Sequence, residues 1–195
     1  MQEILNAIAQ MPPWEIVASL FGVAYVIFAA KESLWAWFFG FFSTLIYTVL
    51  FWEGALVSSS LLNFYYMIMA GYGYYSWRKG VEEKSLQITQ YTISTNVAII
   101  TVGLIMSIVI GYLSTTYVDA KMAYMDSSVM VFSIIATWML TQKILENWLY
   151  WMVIDSVAIV LYWKSGYLAT VGLFILYIVL GVYAYFTWRK ALNAY

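Results

Sequence analysis

Trp148, Trp151 and Asp155 fall at i, i+3 and i+7 of a segment that otherwise reads as lipid-soluble. On a helix they lie within about 60° of one another at roughly 100° per residue, so two indoles and a carboxylate share a face. Indoles attract flat or cationic rings by stacking and through the ring quadrupole, about 0.5 to 2 kcal/mol per good contact depending on desolvation. An acid inside an apolar span is costly and marks a functional position. Asp155 would supply counter-charge or accept an amino hydrogen. The alternative is that the tryptophans are interfacial belt residues and Asp155 pairs with a polar position on a neighbouring helix.

Tyr162 continues the stripe, and a second face carries Asn63, Tyr66, Ala70 and Tyr74, where an amide and phenols serve either a ligand or interhelical hydrogen bonds. Asp126 heads a third face with Met130, Ser133 and Thr137, and like Glu15 it stands where a carboxylate complements a helix dipole. Glu146 lies about 160° from Trp148 and is assigned to the first turn of its helix. Gly71 and Gly73 lie within an apolar span and are assigned to packing rather than to a phosphate loop. Arg78-Lys79 and Arg189-Lys190 are read as topology determinants.

The elements that must position these residues are membrane spans. The 195 residues are 64% hydrophobic, 20% aromatic and 10% charged, beyond the apolar share of roughly 45–50% in soluble domains. With no cysteine and no histidine, disulfides, zinc fingers, Cys nucleophiles and His-based catalysis are excluded. An intramembrane enzyme would then need its carboxylates together, and Asp126 and Asp155 lie on different spans. The net charge of −1 names no partner and points to no nucleic acid. No basic residue precedes Lys31, which argues against a cleaved signal peptide. Neither cofactor nor metal is called for.

Seven spans emerge, at about Trp14–Ala30, Leu34–Phe51, Leu56–Trp77, Tyr91–Leu113, Tyr124–Leu140, Leu145–Trp163 and Tyr167–Trp188. Trp52-Glu53-Gly54, the polar loop Glu82-Glu83-Lys84 and the polar run from Ser114 to Lys121 separate them. With the N-terminus outside, inner loops hold Lys31, Arg78, Lys79, Lys84, Lys143, Arg189 and Lys190, and outer ones hold Lys121 and Lys164. The positive-inside rule therefore predicts N-out, C-in.

Sliding the chain by about 111 positions pairs Trp37 with Trp148, Trp52 with Trp163, Tyr66 with Tyr177, Tyr74 with Tyr185, and Trp77-Arg78-Lys79 with Trp188-Arg189-Lys190. Two three-span units, 14–80 and 124–190, share an orientation only if another span, 91–113, separates them. The prediction is a single all-α transmembrane domain over 1–195 with 3+1+3 parallel repeats, the kind of arrangement transporters build around a midplane site. The face matching Trp148, Trp151, Asp155 and Tyr162 is Trp37, Gly40, Thr44 and Phe51, symmetric in frame but not in chemistry.

The run Glu146-Asn147-Trp148-Leu149-Tyr150-Trp151 with Asp155 resembles the W-x-x-W-x-x-x-[N/D] pattern of the PnuC vitamin transporters. Asp126-Ser127 and Trp77 before the basic loop resemble that family too, over about Trp14 to Lys190. The resemblance implies a SWEET-like facilitator of the bacterial inner membrane that works by alternating access, with a homotrimer among the assemblies open to it. A cytosolic kinase traps the unphosphorylated vitamin. Trp148, Trp151 and Asp155 would bind substrate, with Asn63, Tyr66, Trp37 and Thr44 as the opposing wall. The best-known members carry nicotinamide riboside, and that type is expected to have Asn where Asp155 stands and an amide near Ser43-Thr44. A carboxylate suits a cationic heteroaromatic bearing an exocyclic amine, so thiamine is expected ahead of nicotinamide riboside, with riboflavin a further candidate. A proton-coupled carrier and a non-transporting receptor are the remaining alternatives.

Overall fold

In a computed structural model of the chain, the described residues are 6, 11–53, 57–83, 86–117, 122–164 and 168–194. They form seven α-helices: α1 Pro13–Ala30, α2 Trp35–Glu53, α3 Val57–Glu83, α4 Ile93–Tyr117, α5 Ala123–Thr141, α6 Asn147–Lys164 and α7 Leu168–Leu192. Gly54, Leu56, Lys84, Lys121 and Tyr167, which entered the span and orientation arguments, lie outside the described residues. Pro13 opens α1 at a position where its missing amide costs the helix little.

Four helices run past their expected ends, and α2 takes in Trp52 and Glu53, which were expected to separate two spans. Glu82 and Glu83 belong to α3 rather than to a loop, because Arg78 pairs with Glu82 at 2.9 Å and Lys79 with Glu83 at 3.6 Å along the last turns. Thr115 and Thr116 extend α4, their hydroxyls bonding back to the carbonyls of Gly111 and Tyr112 at 2.6 and 2.8 Å. α7 passes through Arg189-Lys190 to Leu192.

By length and composition, α1, α2, α4, α5 and α7 are apolar enough to cross a membrane. α3 and α6 fall short of the expected seven because they carry the polar chemistry, α3 its serines, Asn63 and tyrosines and α6 Asp155 and Lys164. Burial is inverted relative to a protein in water. Ala18, Ala29, Ala36, Ala136, Ala158 and Ala184 are fully buried, while Ile93, Val97, Ile105, Ile108, Val179 and Phe186 face outward. Small residues inside let helices approach closely, and large aliphatic ones outside suit lipid. Buried hydroxyls are satisfied by backbone: Ser43 donates to the Ala18 carbonyl across α1 and α2 at 2.8 Å, and Thr137 to the Ser133 carbonyl at 2.7 Å.

Six helices close a ring in the order α1, α2, α3, α5, α6, α7 and back to α1, and α4 packs outside it against α5. One end of the ring is filled by Trp37, Trp77, Trp148 and Trp188, none more than 3% exposed. Trp37 meets Trp77 edge-on at 5.0 Å and 83°, Trp148 meets Trp188 at 5.4 Å and 89°, and Trp77 joins Trp188 at 6.1 Å. Gly73 makes room for this cluster, since a Cβ there would run into the Trp37 indole, whereas Gly71 has no such neighbour.

The turns at that end share an unusual cap. α1 ends with Glu32 N–H to the Ala29 carbonyl and Ser33 N–H to the Phe28 carbonyl, both at 3.0 Å. α5 ends with Lys143 N–H to the Leu140 carbonyl at 3.0 Å and Ile144 N–H to the Met139 carbonyl at 2.9 Å. Each is a Schellman turn, whose left-handed position normally takes glycine. Here it is Glu32 at φ 54° and Lys143 at φ 53°, at roughly 1–2 kcal/mol each for an L side chain. A strap before α4 lies across the same end. Thr89 N–H bonds the Lys143 carbonyl at 3.1 Å, Leu145 N–H the Thr89 carbonyl at 2.8 Å, and Ile88 is buried beneath. Glu146, assigned from sequence to the first turn of its own helix, instead accepts the Tyr91 N–H at 3.2 Å and holds the strap.

Candidate functional site

α6 carries Asp155 midway along its length, 3% exposed, and among the described residues its carboxylate has neither hydrogen bond nor ion pair. Tyr177 of α7 lies within electrostatic range of Asp155, and Tyr25 and Tyr47 lie within the same range of Tyr177. The Tyr177 hydroxyl packs so closely on Gly22 of α1 that a Cβ there would collide with it. Across the ring, Tyr66 of α3 reaches towards Ser133 of α5, packs on the Tyr65 ring at 5.8 Å, and lies within electrostatic range of Tyr25 and Tyr162. The Tyr66 and Trp151 rings are 6.4 Å apart at 60°. Tyr162 stacks on Phe174 at 5.4 Å, and Phe174 meets Tyr177 edge-on at 6.1 Å. Tyr25 lies over Gly40, its ring 2.9 Å from where a Cβ would stand.

Four of the residues selected from sequence, Tyr66, Trp151, Asp155 and Tyr162, therefore converge on this central layer. Trp37 and Trp148 belong to the tryptophan cluster at the end of the ring, and the ring partners of Trp148 and Trp151 differ, Trp188 for one and Tyr66 for the other. Thr44 donates to the carbonyls of Gly40 and Phe41 at 2.8 and 3.1 Å, and the Asn63 amide donates to the Ser59 carbonyl at 2.9 Å. Both are engaged with their own helices. Tyr25 and Tyr177 were not singled out as site residues. The signal for Tyr177 was its match with Tyr66 at the 111-residue offset, whereas nothing in the sequence distinguishes Tyr25.

The electrostatics of the layer are one-sided. Every described Lys or Arg stands in a turn or in the last two turns of a helix, and Lys143 is already paired with Glu32. A buried carboxylate thus stands in a layer of phenols with no cation among the described residues to neutralise it, an arrangement that favours a cationic or amine-bearing guest.

An inverted, lipid-facing helical ring with a polar and aromatic centre defines a multi-pass membrane protein. Comparison with known proteins makes this particular: the family described as nicotinamide mononucleotide transporter matches residues 12–190. The chain is 24% identical over 178 residues to the nicotinamide riboside transporter PnuC of Escherichia coli (strain K12), covering 78% of this chain and 74% of the relative. Identity to the PnuC of Neisseria mucosa is 26% over 192 residues, covering 89% and 71%. It is 23% to the riboflavin/roseoflavin transporter RibM of Streptomyces davaonensis over 167 residues, covering 84% and 78%. A crystal structure of the vitamin B3 transporter PnuC superposes with a TM-score of 0.77 at 20% identity, covering 98% of this chain and 87% of that one. The chain belongs to this family of PnuC membrane vitamin transporters.

Proposed function

We propose that the chain takes up an unphosphorylated cationic heteroaromatic vitamin, thiamine first, by facilitated diffusion with alternating access. The observation that carries this reading is Asp155, buried and without a cationic partner among the described residues. A thiazolium ring with an aminopyrimidine offers both a charge and N–H donors to such a carboxylate. A phosphorylated guest would bring negative charge towards Asp155 with no lysine or arginine beside it, so the cargo is the free vitamin. Trp151, Tyr66 and Tyr162 stack against the guest, Trp37 and Trp148 close the site from the end of the ring, and Asn63 and Thr44 belong to the opposing wall.

Nicotinamide riboside is the second reading, favoured by the relatives named for that cargo. Its ribose hydroxyls call for amide partners, and the Asn63 amide has one of its two N–H donors bonded to the Ser59 carbonyl of its own helix. RibM shows that relatives of this chain are named for a different vitamin.

Two three-helix units, α1–α3 and α5–α7, rock against each other, with all seven helices crossing the membrane and α4 as connector. The order of contacts around the ring supports this, because exchanging the two units maps α3 against α5 onto α7 against α1. The N-terminus is outside and the C-terminus cytoplasmic in a bacterial inner membrane. Net uptake follows phosphorylation by a cytosolic kinase, and the assembly is a homotrimer.

Binding titrations of the purified protein with thiamine, nicotinamide riboside and riboflavin test the substrate, with thiamine expected to bind tightest. Equal or stronger binding of nicotinamide riboside would transfer the assignment to the second reading. Counterflow of labelled vitamin in proteoliposomes separates a carrier from a receptor, and accumulation under an imposed pH gradient would mark a proton-coupled carrier.

A further inference from the structure

We infer that Glu32 and Lys143 form a latch that holds the tryptophan end of the transporter shut, and that opening this end requires the pair to part. This rests on the alternating-access reading, and it concerns residues outside the central layer. The Lys143 Nζ lies 2.8 Å from Glu32 Oε2, with the two side chains 8% and 26% exposed. The residues are 111 positions apart, the offset at which the two units align, so each is the other's counterpart.

Three features set this pair apart from an incidental ion pair. Both residues occupy the left-handed cap position of a Schellman turn, where glycine is the unstrained choice. The backbone therefore tolerates strain at two places in order to present one acid and one base to each other. Lys143 also stands 5.0 Å over the Trp77 ring, so it bridges the first unit at two points, Glu32 and the indole. Beneath it, the indole N–H groups of Trp37, Trp77 and Trp148 are buried without an acceptor among the described residues, whereas that of Trp188 donates to the Ala29 carbonyl at 3.2 Å. A cluster with unpaired donors is poised to separate, because water or a rearranged partner can satisfy them once the end opens. The strap through Ile88 and Thr89 covers the same end and is hydrogen-bonded to the Lys143 turn.

The chain contains no cysteine, so single cysteines report accessibility cleanly. Thr141→Cys lies fully buried two residues before Lys143, and Ser60→Cys is buried in the first turn of α3, away from the tryptophan end. The purified protein is labelled with a membrane-impermeant maleimide, without substrate, so that a wrong vitamin assignment does not affect the result. In Glu32→Gln, Lys143→Met and the double variant Glu32→Gly/Lys143→Gly, labelling at Thr141→Cys is expected to rise about tenfold while labelling at Ser60→Cys does not rise. The glycine pair keeps the cap geometry and removes both charges, so it tests the latch without losing the turns. Unchanged labelling at Thr141→Cys in the glycine pair would overturn the latch. So would a parallel rise at Ser60→Cys, or loss of cooperative melting in every variant that labels faster, since either marks general loosening.

Discussion

The ring of Tyr66 stands 6.4 Å from that of Trp151, although α3 and α6, which carry them, are not neighbours in the helix ring. The two side chains therefore reach towards each other across the interior from opposite units. Asp155 lies one helical turn beyond Trp151, a separation of about 6 Å along the axis. An aromatic bridge with a carboxylate one turn away is the arrangement on which the proposed substrate site rests.

Asp155→Asn should weaken thiamine binding by about 10- to 100-fold, the range of a hydrogen bond to a charged group. The same substitution should stabilise the ligand-free protein by about 1–3 kcal/mol, because it removes a buried group whose charge has no partner. Calorimetric titration and thermal melting read the two effects separately. A variant that binds as tightly as the parent would remove Asp155 from the site.

Trp151→Ala and Trp148→Ala should fail in different ways. Trp151 faces Tyr66 in the central layer, so its loss should reduce affinity by about 3- to 30-fold, the value of one stacking or cation–π contact. Trp148 packs edge-on against Trp188 in the buried cluster, so its loss should cost about 3–5 kcal/mol of stability and change affinity less. Melting and binding curves of both variants decide this, and a larger affinity loss in Trp148→Ala than in Trp151→Ala would reverse the roles.

The difference between those two tryptophans marks the limit of reading the site from sequence. Periodicity gives the angle around a helix, and by angle Trp148, Trp151 and Asp155 are one face. It says nothing of which neighbour stands at each depth. Trp148 is about 10 Å along the axis from Asp155, far enough to meet Trp188 at the end of the ring instead. Apolar runs located all seven helices because lipid-facing residues dominate their surfaces, but missed where α3 ends because the Arg78–Glu82 and Lys79–Glu83 pairs lie within the helix. Glu32 and Lys143 escaped notice for a related reason. The 111-residue offset does align them, yet opposite charges register as a mismatch until the fold brings them within 2.8 Å.

Gly22 and Tyr177 offer a test of packing between α1 and α7, the pair of helices that closes the ring. A methyl at Gly22 would collide with the Tyr177 hydroxyl, and Ser43 Oγ stands 3.4 Å from the same point. Gly22→Ala should therefore destabilise the protein by about 1–3 kcal/mol, the usual cost of overpacking. Tyr177→Phe removes the obstructing oxygen, so in that background the alanine should cost measurably less. A double-mutant cycle on melting free energies isolates the coupling, expected at about 0.5–3 kcal/mol for groups in contact. Strict additivity would mean that Tyr177 does not stand against Gly22 in the membrane, and with it the placement of its hydroxyl between α7 and α1 would fall.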